Sequence, residues 1–207
     1  MLDDLLQEVE RVSSEDEAET IVRSCELTDD GLRVDIEIRS DHYSASACSA
    51  WTLVTRGMRN FEFSPGWVGD LPQLLTAHPV LLPYTEPQSV LHILGSTPDP
   101  LSILGSLYLR HSACFGNWLK FSECVSSVMF TSGPWLREHG IVASGPVTLL
   151  QSYQIVLESY GLRCSIPPGH GPFHRRDGKW HHDDSSLCCV LLGSNWVVAE
   201  SFVASRR

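Results

Sequence analysis

The closing stretch of the chain constrains the fold most strongly. Two short apolar runs at residues 187–192 and 196–204 are separated by Gly193, Ser194 and Asn195. Apolar runs rich in β-branched and aromatic residues, joined by residues that tolerate positive φ, are typical of a β-hairpin. Because the runs are nearly continuous rather than alternating, both faces of the hairpin should be covered. The sequence therefore predicts a C-terminal hairpin in the centre of a sheet.

Further strands are indicated in the first half of the chain. Residues 32–39 alternate with period two, so Leu32, Val34, Ile36 and Ile38 should face the core and the four charged residues between them should face water. Shorter strands are predicted at residues 51–55, 60–63, 80–84 and 90–94. This pattern favours a mainly antiparallel sheet.

The middle of the chain has helical spacing. Asp99 is placed to cap a helix that begins at Pro100, where the missing N–H of proline costs nothing. Other helices are predicted at residues 71–77 and 118–129 and in a segment that Gly145-Pro146 opens and that runs to Tyr160, where Gly161 ends it. We expect an α+β fold in which about three to five helices pack on a mainly antiparallel sheet.

The length of 207 residues suits one compact domain with a small annex. We predict an acidic amphipathic helical arm over residues 1–27 and a single α+β domain over residues 28–207. No apolar run reaches the roughly 18 residues needed to cross a bilayer, and the acidic start does not resemble a secretory signal. Seven cysteines without a C-x-x-C pair suit a reducing compartment, so the sequence predicts a cytoplasmic protein without a membrane partner.

The net charge of −10 is unevenly distributed along the chain. Residues 1–30 hold eleven carboxylates and two arginines, whereas the rest of the chain sums to −1. Such a localised negative field can steer a basic partner. The candidate partner-binding carboxylates are Glu8, Glu10, Glu15, Asp16, Glu17 and Glu19. The alternative is a helix docked on the sheet with a solvated acidic face.

Residues 167–184 are rich in histidine and are expected to form a loop, because prolines and glycines argue against a helix there. The segment contains ligand types suited to zinc or another divalent metal, namely His170, His174, His181 and Asp183. Alternatively, its cations make it a partner-contacting loop through Arg175 and Arg176. Trp67 and Trp180, in predicted loops, are candidate interface residues.

The common catalytic motifs are absent: there is no G-x-S-x-G, H-E-x-x-H or Walker sequence. His111 and Cys114 are close in sequence, but their spacing places them among core positions of a helix. A pI near 5.3 argues against nucleic-acid binding, since the phosphate-neutralising charge is missing.

The sequence favours a non-enzymatic protein that binds a basic protein partner without a cofactor. In size, acidity and lack of a catalytic pattern, the chain is similar in general character to small bacterial immunity or inhibitor proteins. Two alternatives stay open. One is a metal-dependent hydrolase that uses residues 170–184, and the other is a structural subunit of a larger complex.

Overall fold

The computed structural model of the protein describes residues 2–13, 18–29, 31–40, 48–95, 99–127, 130, 139–176, 179–183 and 185–207. Within these ranges, the side chains of residues 139, 174–176 and 180 lie outside the description. The helices are α1 (Leu2–Ser13), α2 (Leu82–Thr85), α3 (Pro100–Phe115), α4 (Phe121–Cys124) and α5 (Val147–Ser159). A 3-10 turn covers Pro79–Leu81. None of these helices is long and apolar enough to cross a membrane.

All strands with described partners pair in antiparallel fashion, which confirms the predicted α+β class. The strands are β1 (Ala18–Thr28), β2 (Gly31–Ser40), β3 (Cys48–Arg56), β4 (Asn60–Glu62), β5 (Gly66–Trp67), β6 (Gln73–Leu75), β7 (Gln88–Leu94), β8 (His139–Pro146), β9 (Arg163–Ser165), β10 (Phe173–Arg176), β11 (Lys179–His182), β12 (Cys188–Leu192), β13 (Asn195–Ala199) and β14 (Ser201–Arg206).

The chain divides into two compact units. The first, here called the terminal unit, contains residues 1–81 and 184–207, and the second, the central unit, contains residues 82–183. The division therefore does not fall at residue 27, the predicted end of the helical arm. The central unit is a continuous insertion between the two parts of the terminal unit.

The terminal unit contains a five-stranded sheet in the order β14-β3-β2-β1-β5. The alternation in β2 is confirmed, since Leu32, Val34, Ile36 and Ile38 are buried. Helix α1 packs against this core through Leu5 and Val12, which lie on its apolar stripe. At about 25 cal/mol per Å² of buried apolar surface, such a stripe accounts for the docking of a helix too short to be stable alone.

The C-terminal hairpin lies at the centre of a second sheet in the terminal unit, in the order β4-β13-β12-β6. Its turn follows the sequence prediction, because Leu192 pairs with Asn195 and Gly193 has a φ of 58°. The second predicted run is divided at Glu200, after which β14 joins the five-stranded sheet. The hairpin prediction is confirmed, although the chain uses its last strand in a different sheet.

The central unit contains a three-stranded sheet in the order β8-β7-β9, against which α5 packs. Helix α3 packs on α5. Asp99 caps α3 as predicted, since its Oδ1 accepts a hydrogen bond from the Ser102 N–H at 3.0 Å. Glu86 caps α5 from outside the helix by accepting hydrogen bonds from both the N–H and the hydroxyl of Thr148.

Several predicted elements are wrong. The helical arm ends at Ser13 in the described part, because residues 18–28 form β1: the β-branched residues between Thr20 and Val22 pair with β2. Residues 73–75 are a strand rather than part of a helix, and residues 79–85 form short helical turns rather than a strand. The predicted strand at residues 60–63 is present as β4, which pairs with β13. Helix α4 covers only four residues of the predicted helix at residues 118–129.

Candidate functional site

The outer face of the five-stranded sheet, opposite the buried face of β2, carries an ordered set of polar side chains. Its central row runs along β2 and contains Arg33, Asp35, Glu37 and Arg39. The strand register places Ser24 of β1 and Thr52 of β3 beside Asp35. The polar period of β2 thus builds a charged surface, which neighbouring strands complete.

Asp35 is buried on this outer face, although the sequence predicted that it would face water. Its carboxylate accepts hydrogen bonds from the Thr52 hydroxyl at 2.7 Å and the Ser24 hydroxyl at 2.8 Å. Arg207 lies 3.1 Å and Arg33 3.7 Å from its oxygens. Burial raises the pKa of Asp35, but these hydrogen bonds and positive charges together lower it below its ordinary value. The pairing of strands therefore produces a group whose burial the alternation alone could not reveal.

Glu37 binds three neighbours on the same face. Its oxygens accept hydrogen bonds from the Cys48 thiol at 2.7 Å, from Arg39 at 2.8 Å and from Arg23. The hydrogen bonds from Cys48 and Arg39 and the positive charge of Arg23 lower the pKa of Glu37 to about 2. Burial and the adjacent carboxylate raise the pKa of the Cys48 thiol, so this exposed cysteine lacks the thiolate character of a nucleophile.

Trp67 lies at the edge of the outer face and is 71% exposed. It belongs to the two-residue strand β5 and pairs with Ile21 of β1. The indole N–H donates a hydrogen bond to Glu19 Oε2 at 2.6 Å. Gly69, two residues after Trp67, has a φ of 81° and lies beside the indole ring. The structure thus brings together two predicted interface residues, Glu19 and Trp67, that are 48 positions apart in sequence.

The predicted partner-binding carboxylates have different environments. Glu8 is half-buried and lies 3.6 Å from Arg11 and 3.8 Å from Arg206, so part of its charge is neutralised within the protein. Glu10 is exposed on α1. Residues Glu15, Asp16 and Glu17 lie outside the described residues. Their participation in binding stays a prediction.

The histidine-rich segment is not a plain loop, because β10 and β11 form a hairpin. His170 is anchored at its backbone, which exchanges hydrogen bonds with Gln88 of β7. His174 lies opposite His181 in the strand register. Asp183 is buried, and its N–H donates to the Pro172 carbonyl.

No group of three or more histidine, cysteine, aspartate or glutamate side chains that could hold a metal is found among the described residues. The side chain of His174 lies outside them, as do those of the predicted contact residues Arg175, Arg176 and Trp180. Their backbone belongs to the β10–β11 hairpin. The metal site and the contact role of this hairpin therefore stay predictions.

A buried polar pair, which sequence reasoning missed, lies in the core of the central unit. The Tyr153 hydroxyl lies 2.6 Å from His111 Nδ1, and the Leu119 carbonyl lies 2.6 Å from His111 Nε2. Since the carbonyl can only accept, Nε2 carries a hydrogen, and in a neutral imidazole Nδ1 then accepts from Tyr153. Both ring nitrogens are occupied and Cys114 is exposed, so His111 is not placed to activate that thiol. The i, i+4 spacing of His111 with buried Leu107 was the one available sequence signal.

Comparison of the chain with protein-family models, with curated proteins and with solved structures finds no match in any of the three.

Proposed function

We propose that the protein is a non-enzymatic binding protein whose terminal unit engages a basic protein partner. One observation carries this proposal: the net charge of −10 falls entirely in the terminal unit, which has 18 acidic and eight basic residues. The central unit has seven of each and sums to zero. A negative field confined to one unit favours association with a positively charged surface.

The arrangement of the outer face supports the same proposal. Asp35 and Glu37 hold four arginines in fixed positions, which gives a rigid polar surface beside exposed Trp67. Interfaces are typically built from such a polar surround and a few aromatic anchors. Both carboxylates are fully engaged, and their pKa values are lowered rather than raised toward neutrality. These features favour recognition over acid–base catalysis.

Affinity capture from the native host, followed by measurement of the dissociation constant of the captured partner, tests the proposal. We expect a partner with a basic surface, bound about tenfold more weakly when salt is raised from roughly 50 to 300 mM, because screening weakens charge attraction. A double variant, Glu10→Gln with Glu26→Gln, removes two exposed carboxylates of the terminal unit. It should weaken binding about threefold or more.

The matched control is the double variant Glu123→Gln with Glu158→Gln, which removes the same charge from the central unit. It should bind as the wild type does. Binding that is indifferent to salt, or that both double variants impair equally, would overturn the proposal.

A further inference from the structure

We propose that Trp67 and Glu19 form a subsite for an arginine side chain of the partner. This inference rests on the proposed function and names the chemistry of the contact. Exposed tryptophan supplies a π face, and the adjacent carboxylate supplies an anion. A guanidinium is the side-chain group that can use both at once, since it stacks on aromatic rings and donates several hydrogen bonds in one plane.

The ring of Trp67 is held in place before any ligand arrives. Its N–H edge is bonded to Glu19 Oε2, and the backbone of β5 is paired to β1 through Ile21 and Val22. Because residue Trp67 is 71% exposed, at least one face of the indole must be open, since its edges and backbone alone supply too little surface. An aromatic group fixed in this way loses little conformational entropy on binding.

Glu19 keeps one oxygen for a ligand. Oε2 accepts the indole N–H, whereas Oε1 accepts no hydrogen bond from any residue that the structure describes. A guanidinium lying over the ring next to its N–H edge could donate to Oε1, and such charge-assisted hydrogen bonds are about twice as strong as neutral ones. Ile21, which pairs with Trp67, offers apolar surface for the methylene groups of the arginine.

Two arginines near the subsite repel an incoming cation. Arg39 is directly opposite Glu19 in the register, and Arg23 lies on the same strand as Glu19. Both donate to Glu37, so one negative charge already offsets part of theirs. A ligand guanidinium hydrogen-bonded to Glu19 would lie about 3 Å from that carboxylate, whereas the guanidiniums of Arg39 and Arg23 are already hydrogen-bonded to Glu37.

The subsite can be tested with small probes on the full chain. Indole N–H resonances of the ¹⁵N-labelled protein are followed as N-acetyl-arginine amide is added, and the Trp67 signal is identified by its loss in Trp67→Phe. We expect a saturable shift of that signal, a smaller one with N-acetyl-lysine amide, and none with the citrulline amide, which has nearly the shape of arginine without its charge. Trp51, which is buried and bonded to Ser49, serves as the internal reference.

Glu19→Gln should weaken arginine amide binding by a factor of roughly two to five, in keeping with one exposed charged contact. Glu62→Gln removes one exposed charge from another sheet of the terminal unit and should leave the binding unchanged. Equal shifts with arginine and citrulline amides, or the same affinity in Glu19→Gln, would overturn the subsite. If either result is obtained while partner capture stays salt-dependent, the subsite is ruled out and the proposed function is kept. If capture fails while arginine amide still binds, the proposed function falls instead.

Discussion

The two units place polar groups in their structures in different ways. The terminal unit fixes charged side chains on a sheet face, where Asp35 and Glu37 bind arginines. The central unit buries the hydrogen-bonded pair His111 and Tyr153 inside its core. It also presents eight of the eleven exposed large apolar side chains in the described part of the chain, although it carries no net charge.

The difference shows that stability in the two units should respond to different conditions. Charged networks weaken when salt rises or when their carboxylates are protonated. A buried hydrogen-bonded pair is shielded from salt, and burial of the Tyr153 hydroxyl favours its neutral form. A substitution that changes the stability of one unit should therefore leave the other unit largely unaffected.

The largest effects are expected from cavities in the two cores. Leu53→Ala in the terminal unit and Leu149→Ala in the central unit each truncate a fully buried side chain and should cost about 2–5 kcal/mol. Hydrogen exchange read by mass spectrometry should show lost protection mainly in the unit that carries the substitution. Equal loss across both units after either change would show that the two cores unfold as one.

A smaller loss of stability is expected when the Tyr153 hydroxyl is removed. Burial raises the pKa of its hydroxyl, so the folded state favours the neutral form. That stability is present below about pH 10, the ordinary value, and is lost as pH rises because the unfolded state ionises first. Tyr153→Phe should cost about 1–3 kcal/mol at neutral pH by leaving His111 Nδ1 without its donor.

In Tyr153→Phe, the protection of the central unit against hydrogen exchange should decrease less between neutral pH and pH 11 than it does in the wild type. Tyr108→Phe, at an exposed position of α3, is the control and should leave the pH profile unchanged. An identical alkaline profile in Tyr153→Phe would contradict the role given to the pair.

Glu37 should act at the opposite end of the pH scale. Its folded-state pKa of about 2 lies below the ordinary 4.5, so its stabilising effect is present above pH 4.5 and is lost as pH falls toward 2. Glu37→Gln should cost about 1 kcal/mol at neutral pH, a value discounted for its position on a solvent-facing surface. Urea unfolding at several pH values should show a reduced acid dependence confined to the terminal unit, and a dependence unchanged from the wild type would count against the network.

The smallest expected effect is a gain in stability when the Thr20 hydroxyl is removed. The Thr20 hydroxyl is fully buried and has no hydrogen-bond partner among the described residues. Thr20→Val keeps the shape and removes the unsatisfied group, so the terminal unit should gain about 0.5–1 kcal/mol. Thr52→Val is the contrasting change, because that hydroxyl donates to Asp35 and its loss should destabilise. A thermal midpoint that falls in Thr20→Val would show that the hydroxyl has a partner.

Elements with a strong local signal could be predicted from the sequence. Alternation defined β2, the Asp99-Pro100 pair defined the start of α3, and the Gly193 turn defined the hairpin. Residues 18–28 could not be assigned in this way, because their apolar residues fit a helix and only pairing with β2 decides for a strand. Short strands such as β4 and β6 depend on β13 and β12, which lie more than 100 residues away in sequence.

The candidate site was only partly predictable, for the same reason. The sequence indicates Trp67 as a candidate interface residue because it is an aromatic residue in a predicted loop. It indicates Glu19 because that residue belongs to an acidic stretch. Their contact depends on the pairing of β5 with β1, and no local pattern specifies that pairing. The burial of Asp35 likewise depends on side chains from β1, β3 and the C-terminal residue Arg207.

The insertion of the central unit has a consequence for how the protein is made. Residues 82–183 are continuous, so a ribosome synthesises all of them before the strands that complete the terminal unit. Strands β12 and β13 occupy the middle of the four-stranded sheet, and β14 forms an edge of the five-stranded one. The four-stranded sheet of the terminal unit therefore cannot be completed until residues 184–207 have been synthesised. In nascent chains, residues 1–81 are thus expected to depend on chaperones for longer than residues 82–183.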